Sequence, residues 1–93
     1  MLRTPTGQRR LDILEWLRDP ATHFPGHRYV PEAGIASEAV AAKLGVSRQV
    51  ADTHLELLAD MGLLVARRVR LRTYYRRDEV RIAEVARMFE KGW

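Results

Sequence analysis

The 93-residue chain contains no cysteine. That excludes a disulfide framework, a thiolate metal site, a cysteine nucleophile and a thiol redox switch. A reducing, cytoplasmic compartment is the expected one. Lysine is nearly as scarce, because 14 of the 16 basic residues are arginine. No apolar run approaches the ~18 residues of a membrane span, and Met1-Leu2-Arg3-Thr4-Pro5 has no signal-peptide core. No membrane partner is expected. A glycine-rich phosphate loop, a nucleophile–base pair and paired carboxylates are all missing as well. No catalytic residues, no cofactor and no enzymatic activity are therefore expected.

What is present is enough apolar material, 46% of residues, for one modest core. The charge is uneven along the chain. Residues 1–60 hold 7 basic and 8 acidic groups, whereas residues 61–93 hold 9 basic and 4 acidic. A basic end on a near-neutral body suggests a polyanionic partner. Arginine is also the side chain whose planar fork matches phosphate and guanine.

Leu11, Leu14 and Leu17 recur on one helical face, which predicts a helix over 8–19, stopped by Pro20. Residues 20–34 hold three prolines and two glycines, and read as a long loop. A short helix is expected over 36–44, capped by Ser37 and ended by Gly45. Ser47 then caps a second helix over 47–61, ended by Gly62. Helix, tight glycine turn, helix is the helix-turn-helix pattern. Over 63–77 the period changes to two, and β-branched and aromatic residues gather, so a two-stranded hairpin follows. Asp78 then caps a helix over 79–91 with Ile82, Val85, Ala86 and Phe89 as its apolar stripe. The expected fold is mainly α with a small β-hairpin: a single winged helix-turn-helix domain spanning 1–93.

Double-stranded DNA is the partner this order implies. Ser47, Arg48, Gln49, Asp52, Thr53 and His54 are the candidate major-groove residues. The helix N-terminus favours phosphate, Arg48 can meet guanine O6 and N7, and Gln49 can meet adenine N6 and N7. Leu55, Leu58 and Met61 fall on the side expected to be buried. An ordinary amphipathic surface helix has the same pattern, and the hairpin beside it is what favours DNA. That hairpin carries Arg67, Arg68, Arg70, Arg72, Arg76 and Arg77, with no acid from 66 to 77. Arginines that guard a strand edge from aggregation account for two or three of these more readily than for six. Arg67, Arg68, Arg70, Arg72 and Arg76 are the candidate backbone contacts. Of Tyr74 and Tyr75, one is expected in the core and one at the surface.

His23 and His27 lie four apart, but Pro25 and Gly26 between them deny a helical chelate. No metal site is expected. A loop-histidine metal or ligand sensor stays as a third reading, after a winged-helix protein–protein interaction module with weak or no DNA binding.

Several segments resemble the ArsR-type (arsenic-repressor-like) winged-helix regulators. These are Ala41-Ala42-Lys43-Leu44-Gly45-Val46-Ser47, Thr53-His54-Leu55-Glu56-Leu57-Leu58, Met61-Gly62-Leu63-Leu64-Val65-Ala66-Arg67-Arg68 and Tyr74-Tyr75-Arg76. Arg9 to Leu17 looks like that family's helix before the loop. The resemblance implies a homodimeric transcriptional repressor, with helix 47–61 in the major groove and hairpin 64–77 on the backbone or minor groove. The departures are specific. There is no thiolate for metal sensing, and the last helix has Asp78, Glu79, Glu84 and Glu90 but no histidine. The effector is therefore unassigned. Only Met1 to Thr6 precede the first helix, where the family has an extra helix for dimerisation. Dimer contacts are expected instead on Ile82, Val85, Met88, Phe89 and Trp93, with Leu14 from the first helix. Asp52 stands where a small polar residue is usual, and Val69-Arg70-Leu71 where the wing turn often has glycine.

Overall fold

The computed structural model describes residues 5–26 and 32–90. Helix α1 runs Pro5–Arg18 and the single-turn α2 runs Pro20–His23. The expected helix starts earlier than Gln8 because proline suits a first helical turn, where its missing N–H has no partner to lose. Pro20 cannot supply the N–H that would continue α1, yet it suits the first turn of α2, so the expected loop 20–34 is not wholly loop. Phe24, just after α2, is buried and meets the half-buried Trp16 edge-to-face at 6.3 Å. Lys43 lies over the Trp16 ring at 5.0 Å.

Strand β1 is only Ile35–Ala36, and α3 follows directly as Ser37–Leu44. Ile35 was expected to lead into the helix, but its backbone is taken by a sheet. Ser37 is consequently not the cap. Ala36 holds that position without a side-chain bond, and Ser37 is wholly buried in the first turn, donating to Glu38 Oε1 at 3.2 Å. Gly45 closes α3 in the left-handed conformation (φ 72°, ψ 33°), its N–H reaching the Ala41 and Ala42 carbonyls. Helix α4, Arg48–Asp60, starts on Ser47, whose hydroxyl accepts from the Val50 N–H at 3.2 Å. Met61 was expected inside but is 52% exposed, because it stands at the C-cap where the chain leaves the helix.

Strands β2 (Leu64–Val69) and β3 (Arg72–Arg77) form the hairpin. The sheet has three strands rather than two, in the order β1-β3-β2, all antiparallel. Ile35 pairs with Tyr75 and Ala36 with Tyr74. Helix α5, Glu79–Glu90, begins after Asp78, whose Oδ1 accepts from the Arg81 N–H at 3.1 Å.

The main core joins Ile13 and Leu17 of α1, Val40 of α3, Leu55 and Leu58 of α4, and Leu64 and Tyr75 of the sheet. A smaller cluster of Ala33, Ala36 and Tyr74 covers the opposite face. Both tyrosines are therefore buried, against the expectation of one outside. Neighbouring strand residues do point to opposite faces, but β1 and the residues before it cover the second face.

Candidate nucleic-acid interface

The N-terminal turn of α4 stands clear of the core. Ser47, Arg48, Gln49 and Thr53 are exposed and Asp52 is half-buried. Ala51, Leu55 and Leu58 hold the other side in the core, so burial fixes how the helix is rolled. The Thr53 hydroxyl donates back to the Gln49 carbonyl at 3.0 Å. His54 does not belong to this face. It is 4% exposed, and its Nδ1 accepts from Arg10 Nε of α1 at 3.3 Å. Its Nε2 is buried with no partner among the described residues. Burial first, then the Arg10 and Arg9 charges, hold its pKa below the ordinary histidine value. A side chain so placed cannot reach a base, so His54 is withdrawn from the major-groove set.

Arg48 lies between two carboxylates. Its Nη1 is 3.8 Å from Glu38 and its Nε 3.7 Å from Asp52. The same Glu38 oxygen is 3.8 Å from Arg72 Nε on β3. Glu38 was not among the residues picked out from sequence. Its position at the start of α3 carries no local sign that the wing folds back beside it. Partial burial pushes the Glu38 carboxyl up. Its own backbone N–H, the Ser37 hydroxyl and the Arg48 and Arg72 guanidiniums outweigh that, and it stays below the ordinary carboxylate value.

The six hairpin arginines divide by role. Arg67, Arg68 and Arg70 are exposed with no ion pair among the described residues. Arg72 is held by Glu38, and Arg76 Nε donates to the Glu32 carbonyl at 3.2 Å. Arg77 turns inward. Its side chain is 11% exposed, Nη1 donates to the Leu14 carbonyl of α1 at 2.9 Å, and Nη2 donates to Glu79 at 3.1 Å. Its Nε is also 2.9 Å from Glu79 Oε2, close enough for ion pairing but out of line for a hydrogen bond. At the tip, Arg70 takes the positive φ (58°) that a two-residue turn otherwise assigns to glycine. Leu71 beside it is 81% exposed.

The residues expected at a dimer contact also separate. Ile82, Val85 and Leu14 are half-buried against this chain's own core. Met88 of α5 is exposed, as are Val80 and Leu11, which were not expected at a dimer contact. The Phe89 side chain and Trp93 lie outside the described residues. His27 does too, and among the described residues no three potential metal ligands come together. No described helix is long and apolar enough to cross a membrane.

Two helices joined through Gly45, with an antiparallel hairpin beside the second, make a winged helix-turn-helix fold. The chain is similar to the uncharacterized HTH-type transcriptional regulator YbzH of Bacillus subtilis (strain 168), at 34% identity over 83 residues. The match covers 87% of this chain and 83% of that protein. This chain belongs to the helix-turn-helix-type transcriptional regulators. No protein-family description matches it, and no solved structure does.

Proposed function

We propose that this protein is a sequence-specific DNA-binding repressor of the ArsR type, acting as a homodimer without thiolate metal sensing. The observation that carries the reading is the exposed N-terminal turn of α4 beside a hairpin whose Arg67, Arg68 and Arg70 have no acid partner among the described residues. The α4 turn enters the major groove, where Arg48 and Gln49 meet base edges and Ser47 and Thr53 lie near the backbone. Asp52 accepts from a cytosine amino group or steadies Arg48. Arg67, Arg68, Arg70, Arg72 and Arg76 face phosphate or the minor groove. Met88, Val80 and Leu11 supply exposed apolar surface on α5 and α1 for the second copy.

Selection of bound duplexes from a random DNA pool at physiological salt tests the reading. A palindromic motif is expected, with half-sites about one helical turn apart. Arg48→Ala should cost about 1–3 kcal/mol of binding and relax selection at one base position. Recovery of no enriched sequence would refute specificity. A monomer in sedimentation, with no salt-sensitive DNA binding, would favour a protein-interaction module instead.

A further inference from the structure

One carboxylate joins the two elements that the proposed function places on DNA. Glu38 belongs to neither of them. It sits at the start of α3 and meets Arg48 of α4 and Arg72 of β3 through the same oxygen, at 3.8 Å each. Its other oxygen accepts from the wholly buried Ser37 hydroxyl. That bond ties the carboxylate to a side chain fixed in the core. Asp52 adds a second carboxylate, 3.7 Å from Arg48 Nε. Arg48 thus has two acids against its guanidinium, whereas Arg67, Arg68 and Arg70 have none among the described residues.

A negative charge here is unfavourable to any phosphate that approaches, so Glu38 works against plain charge attraction at the very surface proposed for DNA. We propose that Glu38 is a specificity-determining positioning residue, which steadies Arg48 for a base edge while withholding Arg48 and Arg72 from indiscriminate phosphate contact. The inference rests on the DNA-binding reading above.

The two effects act on different complexes. On non-specific DNA the protein gains affinity mainly from cations that face phosphates. Glu38 occupies two such cations and adds a like charge, so it weakens that binding. On the preferred sequence Arg48 meets a base rather than a phosphate. A guanidinium already restrained by carboxylates loses less side-chain freedom in forming the paired bonds. Glu38 then strengthens that complex. The pairs are solvent-exposed, so each is worth up to about fivefold in an equilibrium constant, weak enough for DNA to rearrange.

Glu38→Gln tests this, because the amide oxygen keeps the Ser37 bond and removes the charge. Affinities are measured for a duplex selected from the random pool and for a scrambled duplex of the same composition, across a salt series. The variant should bind the scrambled duplex several-fold more tightly and with a steeper salt dependence. It should bind the selected duplex more weakly, so the ratio between the two falls about tenfold. In an Arg48→Ala background the same change should no longer weaken binding to the selected duplex, which a merely structural role for Glu38 would not predict. Equal changes on both duplexes, or an unchanged salt dependence, would overturn the proposal. If the unaltered protein binds neither duplex, the DNA-binding reading falls and this inference with it. If it discriminates between them but Glu38→Gln leaves the ratio intact, only the role of Glu38 falls.

Discussion

Replacing Gly34 by alanine should detach the wing from its third strand. Gly34 has φ +100°, and an added Cβ would lie 2.0 Å from the Tyr75 carbonyl oxygen and 2.5 Å from its carbon. Both are backbone atoms of β3, so no side-chain rotation relieves the overlap. β1 must retreat and give up the Ile35–Tyr75 and Ala36–Tyr74 pairings. The backbone conformation costs about 1–2 kcal/mol for any residue with a Cβ. Ile35 is wholly buried, and drawing it into water costs a further ~1.5–3 kcal/mol. Together these give about 2.5–5 kcal/mol, a large share of the roughly 5–15 kcal/mol that holds such a domain.

Gly45→Ala is the control. Gly45 also has a positive φ, but a Cβ there meets nothing within 4 Å. Its cost is the left-handed conformation less the reduced freedom of the unfolded chain, or about 1 kcal/mol. In thermal unfolding followed by far-UV circular dichroism, each kcal/mol moves Tm by roughly 4–8 °C for a domain of this size. Gly45→Ala should therefore lose roughly 4–8 °C and Gly34→Ala more than about 10 °C. Equal losses would refute the argument, because the two variants share positive φ and differ chiefly in the approach of β3.

Three further outcomes follow from the placement of charged groups. Arg77→Ala removes a buried donor to the Leu14 carbonyl and should destabilise the fold by about 1–3 kcal/mol in urea melts. It should leave the salt dependence of DNA binding unchanged, whereas Arg68→Ala should lower that slope by about one and leave stability alone; a reversed pattern would exchange their roles. His54 has a folded pKa below its unfolded value, so the unfolded chain takes the proton first. Its contribution is complete above the ordinary histidine value of about 6.5 and is lost as pH falls through the lower folded one. Urea melts should show stability declining from pH 7.5 to 5.5, and His54→Gln should flatten that decline; an identical pH dependence in the variant would remove His54 as its source.

His54 also shows where local pattern was sufficient and was misread. Ala51, His54, Leu55 and Leu58 recur at the i, i+3, i+4, i+7 spacing of a single buried stripe, and all four are buried. A histidine in that stripe is an interior residue by position, whatever its polarity. Ser47 and Gly45 were equally legible, because a capping hydroxyl and a left-handed stop act within four residues of themselves. β1 was not legible. Two residues carry no period, and their partners Tyr74 and Tyr75 lie about 40 positions away in the chain. From that one omission came several others: the helix cap misplaced onto Ser37, the surface tyrosine that is buried, and the missed acid at Glu38. Each depends on the sheet edge that β1 completes. Arg77 is the converse case. Its sequence context is an unbroken basic run, and only the packing of β3 against α1 separates it from its neighbours. The number of arginines on the hairpin therefore overstates the charge offered to DNA. Arg77 is turned inward, Arg76 donates to the Glu32 carbonyl and Arg72 is held by an acid, so the cations without an acid partner among the described residues lie on β2 and the turn, at Arg67, Arg68 and Arg70. The wing's part in binding should accordingly rest chiefly on β2 and the turn, whereas β3 should serve to join the hairpin to the rest of the fold.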